Sequence, residues 1–477
     1  MLLRQIFDPA LAQYAYLIGC QRTGQALVID PERDIDRYLE LAAANDLTIT
    51  AVAETHIHAD FVSGARQFAQ DPAIHLYLSD LGGPDWTYQW SKGRPNVTLL
   101  RDGDSFHIGK IEVTAIHTPG HTPEHLSYLI TDHGGGADEP VAVATGDFLF
   151  VGDVGRPDLL ESAAGVKGVM EPSARQLQKM LADQLTKLPD FVQVLPGHGA
   201  GSACGKALGA IPTSTLGYER RFNRPLVQAG RDPGGFVKDI LTGQPEPPPY
   251  FATMKRVNRD GVVVTSEIPR GRHLDAEAFA AAAGQGAKVL DARSDRAAFS
   301  LAHFPGAILA PHPGPLFSVA AGSYVAEAEP ILLVVEQADD AEELSRQLYR
   351  IGLDGLTGWT TLEELKAKGM LTESQPKIDF PDFDPAQAAR EGTILDVRTT
   401  LEFQQGRVDH AVSVPYTRLL PRLDEVPKDR KLFVHCGSGR RAALASSFLR
   451  SRGYDAVHVD GICRQCEEIA EASGVTH

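Results

Sequence analysis

No stretch of this 477-residue sequence comes near the roughly 18 consecutive apolar residues a membrane-spanning helix needs, so no such helix is expected. Cysteine is scarce: Cys20, Cys204, Cys436, Cys463 and Cys466 are the whole set. An odd, sparse set is not a disulfide framework, and it points to a reducing cytoplasm where any special cysteine is a reactive thiolate. Positive charge is also short, with 46 lysine and arginine residues against 62 acids and a formal charge of −16. Such a surface repels phosphate backbones and anionic lipid, so neither nucleic acid nor membrane is an expected partner. With 43% hydrophobic and 23% charged residues, the chain is not mostly disordered, collagenous or coiled-coil. Leu17-Ile18-Gly19-Cys20 matches a lipoprotein cleavage pattern, but Asp8, Pro9 and Gln13 interrupt the apolar run a signal peptide needs. Tyr14, Tyr16 and Ile18 alternate with smaller residues, as in a strand, which makes Cys20 a core residue.

At about 150 residues per domain, the length predicts about three domains. Strands, turns and helices alternate through residues 1–250: a strand over Ala26–Asp30, a helix over Ile35–Ala44, and a strand over Thr48–Ala53. Pro245-Glu246-Pro247-Pro248-Pro249 cannot continue a helix or a sheet ladder and marks a boundary. A second boundary lies near Gln375-Pro376. The segments 251–375 and 376–477 repeat each other. Leu290-Asp291-Ala292-Arg293 recurs as Leu395-Asp396-Val397-Arg398, and Leu332-Leu333-Val334-Val335 as Leu432-Phe433-Val434-His435. Each copy reads as alternating strands and helices, the pattern of a small α/β domain with a parallel sheet, so this is a domain duplication.

The strand Thr48–Ala53 runs into His56, His58 and Asp60, at i, i+2 and i+4. If that segment stays extended, all three side chains point the same way. Further on come His117-Thr118-Pro119-Gly120-His121, then Thr145-Gly146-Asp147, then Pro196-Gly197-His198. Imidazole and carboxylate suit zinc or ferrous iron. These motifs resemble those of the metallo-β-lactamase superfamily over residues 1–240 or so, which implies an αββα sandwich with the metal at one edge. Where dinuclear members carry a further histidine after the aspartate, this sequence has Phe61, which cannot ligate. Loss of that ligand disfavours a two-metal hydrolytic site. A mononuclear site built on His56, His121 and Asp147 would be a two-His, one-carboxylate set of the kind that holds ferrous iron in oxygenases. His58 is either a further ligand or an outer-sphere group, as are Asp60 and His198.

Thr145-Gly146-Asp147-Phe148 leading to Gly155-Arg156-Pro157-Asp158 resembles the persulfide dioxygenase branch. The resemblance implies one Fe(II) per chain on His56, His121 and Asp147, with zinc as the metal purification can substitute, and it places Arg156 near the thiol substrate. A salt bridge is the other reading of Arg156. Cys204, in a Gly-rich loop beside His198, either contacts a persulfide or is a small buried residue.

Lys431–His435 reads as a strand, followed by Cys436-Gly437-Ser438-Gly439-Arg440-Arg441 and a helix. A cysteine at a strand-to-helix turn faces the positive end of the helix, which favours thiolate or persulfide. Arg440 and Arg441 add charge for an anionic sulfur donor or acceptor. This resembles a rhodanese domain, with the short loop of sulfurtransferases rather than the longer one of related phosphatases. In the first repeat, counting along the chain sets Glu336 opposite Cys436, followed by Asp339, Asp340 and Glu342. The nucleophile is gone and acids would repel sulfur anions, so this copy is expected to be inactive and to pack or dock. The inactive repeat suggests an interface, and a homo-oligomer is expected. Cys463 and Cys466 form a CxxC in an expected helix, without a preceding thioredoxin-like strand or a second pair to complete a zinc site, so a chance spacing is favoured.

The domain order resembles fusions of a persulfide dioxygenase with an inactive and an active rhodanese. That resemblance implies oxidation of a small thiol persulfide by O₂ to sulfite, and formation or use of thiosulfate at Cys436. Two other readings stay open: a dinuclear-zinc thioester hydrolase of the glyoxalase II type, and a sulfur-relay or sensing module whose metal domain only binds.

Overall fold

Along Gln13–Cys20 the side chains are buried on both faces of a strand. In the computed structural model, Tyr14, Tyr16, Ile18 and Cys20 face one core, and Ala15 and Leu17 face another. That period of two is why the segment is a central strand between two apolar layers. The structure describes residues 1–162, 168–184, 187–463 and 466. The chain divides into two compact units, Met1–Pro247 with Phe251–Glu267, and Pro248–Tyr250 with the chain from Ile268 onward.

In the first unit two six-stranded sheets face each other. The inner core takes Leu27, Ile29, Ala51 and Ala53 from one sheet and Val113, Ala115, Leu126, Tyr128 and Ile130 from the other. Helix Asp36–Ala43 covers the outer face of the first sheet through Tyr38 and Ala42, against Val28 and Val52. Helices Met170–Asp183 and Pro233–Ile240 cover the second through Leu177, Leu181 and Phe236. The result is the expected αββα layering.

The proline run at 245–249 does interrupt regular structure, yet residues 251–267 return to the first unit. Helix Tyr250–Asp260 buries Phe251, Met254 and Val257 on one face, so the apolar spacing, not the prolines, decides where it packs.

The second unit holds two five-stranded sheets with matching strand order. One runs Arg272–His273, Leu356–Thr361, Ile331–Val335, Lys288–Asp291, Ile308–Leu309; the other Lys377–Asp379, Ala456–Asp460, Lys431–His435, Gly392–Asp396, Val412–Ser413. All pairings are parallel, as the repeat predicts. The two copies meet at the helix Arg440–Ser451. Phe448 stacks on Tyr324 with ring centroids 4.3 Å apart, and Ser447 Oγ accepts a hydrogen bond from Leu309 N at 2.9 Å. The first copy thus buttresses the helix that follows Cys436.

Candidate metal centre and sulfur-carrier loop

Strand Thr48–Ala53 ends at the edge of the sandwich, and the chain from Glu54 to Phe61 is loop rather than strand. The expectation that His56, His58 and Asp60 point one way therefore does not hold. Each joins a different buried group: His56 with His121 and Asp147, His58 with Asp30 and Glu54, and Asp60 with His198 and Cys204. Period-two reasoning fails here because the backbone is not extended.

In the first group, Asp147 Oδ2 lies 3.5 Å from His121 Nε2 and 4.0 Å from His56 Nε2. The surrounding bonds settle which nitrogens carry protons. Thr55 Oγ1 donates to Asp30 Oδ2 at 2.7 Å, so it accepts from His56 Nδ1 at 2.9 Å. His121 Nδ1 donates to the Arg156 carbonyl at 3.0 Å. Both Nε2 atoms thus present lone pairs toward the carboxylate, and burial holds both imidazoles below the usual histidine range. Asp147 Oδ2 has no hydrogen-bond partner among the described residues. Two lone pairs and a carboxylate oxygen converging without a proton between them are mutually repulsive unless a cation sits among them. The donor set therefore fits a divalent metal.

The outer contacts orient this set. Asp147 N donates to His125 Nε2 at 3.1 Å, and His125 stacks on His56 at 5.1 Å. His198 Nδ1 and Nε2 lie 2.8 Å from Asp147 Oδ1 and 2.7 Å from Asp60 Oδ2. Burial alone would neutralise His198, but Asp147 and Asp60 outweigh it and raise the imidazole well above its ordinary value. A Cβ at position 197 would lie 2.5 Å from Asp147 Oδ1, so only glycine lets His198 reach the carboxylate. Burial pushes the Cys204 thiol up to about 12, so it is a thiol beside His198 rather than a thiolate.

His58 Nε2 lies 3.2 Å from both Asp30 Oδ1 and Glu54 Oε2, and Phe61 packs on its ring at 4.3 Å. Arg156 is buried: Nε and Nη2 donate to Asp158 at 2.8 and 2.5 Å, and Nη1 donates to the Ala203 carbonyl at 2.8 Å. Its guanidinium joins the His121 side of the site to the loop carrying Cys204.

Asp30, Thr55, His125 and Asn258 belong to the site but carry no motif that singles them out. Asn258 comes from the helix beyond the proline run. Its Nδ2 donates to the His58 and Phe61 carbonyls at 2.8 and 2.7 Å, and its Oδ1 accepts from Ser63 N at 2.9 Å. Replacing Asn258 with Ala strands three buried backbone groups and is expected to lower unfolding stability by about 3 kcal/mol, read from the denaturant midpoint.

In the second unit, Cys436 is buried at the end of strand Lys431–His435. Gly439 adopts φ +79°, and a Cβ there would meet Asp460 Oδ1 at 2.0 Å, which explains the glycine at the helix entry. Arg441 is bidentate to Glu402 at 2.7 and 2.6 Å, so its charge is already paired. Although burial opposes it, Arg441 holds the Glu402 carboxyl down to about 2. Arg440 is exposed, as is Ser438, while Gly437 is partly covered.

The sheet register corrects the alignment of the repeats. Asp396 pairs with His435 and Asp291 with Val334. Val335, not Glu336, therefore stands where Cys436 does. The loop before the helix is one residue longer in the first copy, which a count along the chain cannot reveal. Glu336 Oε2 accepts from Ser294 N and Oγ at 3.2 Å. Neither Val335→Cys nor Glu336→Cys is expected to create sulfur transfer in that copy, assayed with Cys436 replaced by Ser, since Asp339 and Asp340 remain. Cys463 and Cys466, read as a chance spacing, are joined in a disulfide. Strand Ala456–Asp460 does precede them, and most of the helix expected there lies outside the described residues.

The metallo-beta-lactamase superfamily model matches residues 8–198, and the rhodanese-like domain model matches residues 383–461. A solved metallo-beta-lactamase from Staphylococcus aureus subsp. aureus COL is 37% identical, with a TM-score of 0.66, over 76% of this chain and 99% of that one. The chain belongs to the metallo-beta-lactamase superfamily. It also carries a rhodanese-like domain. Among curated relatives, the mitochondrial persulfide dioxygenase ETHE1 of Bos taurus is 27% identical over 47% of this chain and 76% of the relative. A cytoplasmic hydroxyacylglutathione hydrolase of Arabidopsis thaliana is 33% identical over 39% of this chain and 63% of the relative. No helix among the described residues is long and apolar enough to cross a membrane.

Proposed function

We propose that this superfamily member is an Fe(II)-dependent persulfide dioxygenase joined to a sulfurtransferase. The observation that carries it is the buried set of His56 Nε2, His121 Nε2 and Asp147 Oδ2, with Phe61 where a second metal would need a ligand. The net reaction is RSSH + O₂ + H₂O → RSH + SO₃²⁻ + 2H⁺, in which the sulfane sulfur is oxidised and O₂ is reduced. Iron supplies the redox chemistry, which zinc lacks. The chain's own residues do the rest. His125 and His198 fix Asp147, Thr55 and the Arg156 carbonyl fix the two imidazoles, and buried apolar rings exclude water. In the rhodanese-like domain, Cys436 carries a sulfane sulfur and exchanges it with sulfite: Cys–S–S⁻ + SO₃²⁻ → Cys–S⁻ + S₂O₃²⁻. The exposed Arg440 is the cation free to meet the anion. A reducing cytoplasmic setting and a homo-oligomer fit this reading.

The hydrolase relative and the neighbouring Asp60–His198 pair favour a second reading, a two-metal thioesterase. Against it, Phe61 cannot ligate, and His58 is engaged by Asp30 and Glu54. Anaerobic purification followed by elemental analysis and O₂ uptake on glutathione persulfide separates the two. About one iron per chain with sulfite release supports the dioxygenase. Two zinc ions, no O₂ uptake and thioester hydrolysis would replace it.

A further inference from the structure

Cys463 and Cys466 lie three residues apart, immediately after strand Ala456–Asp460, and are joined as a disulfide. Both are buried, at 0% and 5% exposure, in an apolar cluster with Phe383, Ile394, Phe433 and Val459. A bridge closing so short a loop removes little chain entropy, so it makes a weak staple. Cysteines at this spacing, following a strand of a parallel α/β sheet, are instead suited to reversible thiol–disulfide exchange.

Two further contacts give the pair a setting. Cys463 N donates to the Gly437 carbonyl at 3.0 Å, in the loop that begins at Cys436. His435, the residue before Cys436, has a ring nitrogen within 4.8 Å of both sulfurs. Its side chain is fully buried, and its ring nitrogens make no hydrogen bond among the described residues. Asp396 Oδ2 lies 3.6 Å from Nε2, beyond hydrogen-bond distance but within reach of an ion pair if the ring is protonated. Burial pushes this imidazole below the usual histidine range, so it is neutral and offers a lone pair that can accept a hydrogen bond from a thiol. A buried hydrogen-bond acceptor beside two sulfurs, and a backbone bond to the sulfur-carrier loop, are not needed for mere packing.

We propose that Cys463 and Cys466 form a redox-active dithiol–disulfide site whose state sets the activity of the adjoining Cys436 loop. The half that concerns Cys436 rests on the sulfur-carrier reading above; the redox couple itself does not. Two molecules of a low-molecular-weight thiol convert the bridge to two thiols: Cys463–S–S–Cys466 + 2 RSH → Cys463–SH + Cys466–SH + RSSR. The protein S–S bond breaks, an S–S bond forms in the small disulfide, and two electrons and two protons pass to the cysteines. The bridge restrains Cys463, whose N–H donates to the Gly437 carbonyl. The oxidised form thus holds the loop pre-organised, and the reduced form must order it in each turnover.

The test has two arms on the full chain. In the first, protein is poised across glutathione/glutathione disulfide ratios, quenched in acid and alkylated while denatured. The mass of the peptide bearing both cysteines is then read. The proposal expects the doubly labelled fraction to follow the ratio as a two-electron couple. A peptide fully labelled at every ratio, or unlabelled at every ratio, overturns the redox site.

In the second arm, oxidised and reduced samples are freed of glutathione, and thiosulfate-to-cyanide sulfur transfer is measured without thiols. The oxidised form is expected to be faster by about fivefold, the equilibrium worth of one ordinary hydrogen bond. The Cys463→Ser/Cys466→Ser variant should show no difference between poises. Equal wild-type rates, or the same ratio in the variant, overturn the coupling. Absence of transfer at either poise sinks the sulfur-carrier reading and the coupling together, while the labelling arm still judges the redox pair.

Discussion

Replacing Asp147 with Asn is expected to strip iron from the purified chain and to abolish O₂ uptake with glutathione persulfide. Among the described residues, Asp147 is the only carboxylate in the His56–His121 group, and its Oδ2 has no hydrogen-bond partner. Asparagine keeps the shape but removes the negative charge that two neutral imidazoles cannot supply. Its amide also cannot serve both neighbours. Oδ1 now accepts from His198 Nδ1, so the position of Oδ2 would hold an NH₂ group aimed at the lone pairs of His56 and His121. Altering an outer contact of a metal ligand typically costs 10- to 100-fold in affinity, and losing the ligand itself costs more, so at least about 100-fold is expected. Elemental analysis and an oxygen electrode read this directly. Thiosulfate-to-cyanide transfer by the same protein should be unchanged, because Cys436 lies in the other compact unit. Full iron occupancy and normal O₂ uptake in the variant would remove Asp147 from the site.

The αββα layering was implied by the resemblance of the metal motifs, while single elements were legible because buried strands carry their period in plain view. The strand at Thr48–Ala53 and the helix near Ile35–Ala44 appear as expected, the helix trimmed to Asp36–Ala43. The His56, His121 and Asp147 grouping was legible because their motifs resemble the metal-binding motifs of the superfamily, and the structure brings the three together. The fates of His58 and Asp60 were not, since a loop has no fixed period and neighbouring residues can turn to different partners. Asn258 was hidden for a different reason. It reaches the site from about 200 residues away, on a helix whose pattern shows an apolar face but not where that face packs. Val335 was misplaced because the two repeats differ by one residue in a loop, and only hydrogen-bond register counts strands independently of loop length. The disulfide was missed because CxxC spacing alone does not say whether the sulfurs face each other.

Changing Cys436 to Ser is expected to lower thiosulfate-to-cyanide transfer by at least about 10⁴-fold, in line with removal of a catalytic nucleophile. A serine hydroxyl cannot form a persulfide, and no second cysteine replaces it. In the oxidised form Cys463 and Cys466 are bonded to each other, and in the first repeat Val335 and Glu336 stand at the corresponding strand end and loop start. The loop itself should survive. Arg441 stays paired with Glu402, Gly439 keeps its left-handed turn, and serine is close to cysteine in size. An unchanged unfolding midpoint would show that the loss is chemical rather than structural. Iron content and O₂ uptake on glutathione persulfide should match the parent chain, with sulfite accumulating in place of thiosulfate. If Cys436→Ser also abolished sulfite release, the two halves would not divide oxidation and transfer between them, and the oxidation would have to pass through Cys436. If transfer persisted at the parent rate, the sulfur carrier would lie elsewhere, with the buried Cys204 thiol beside His198 as the first residue to test.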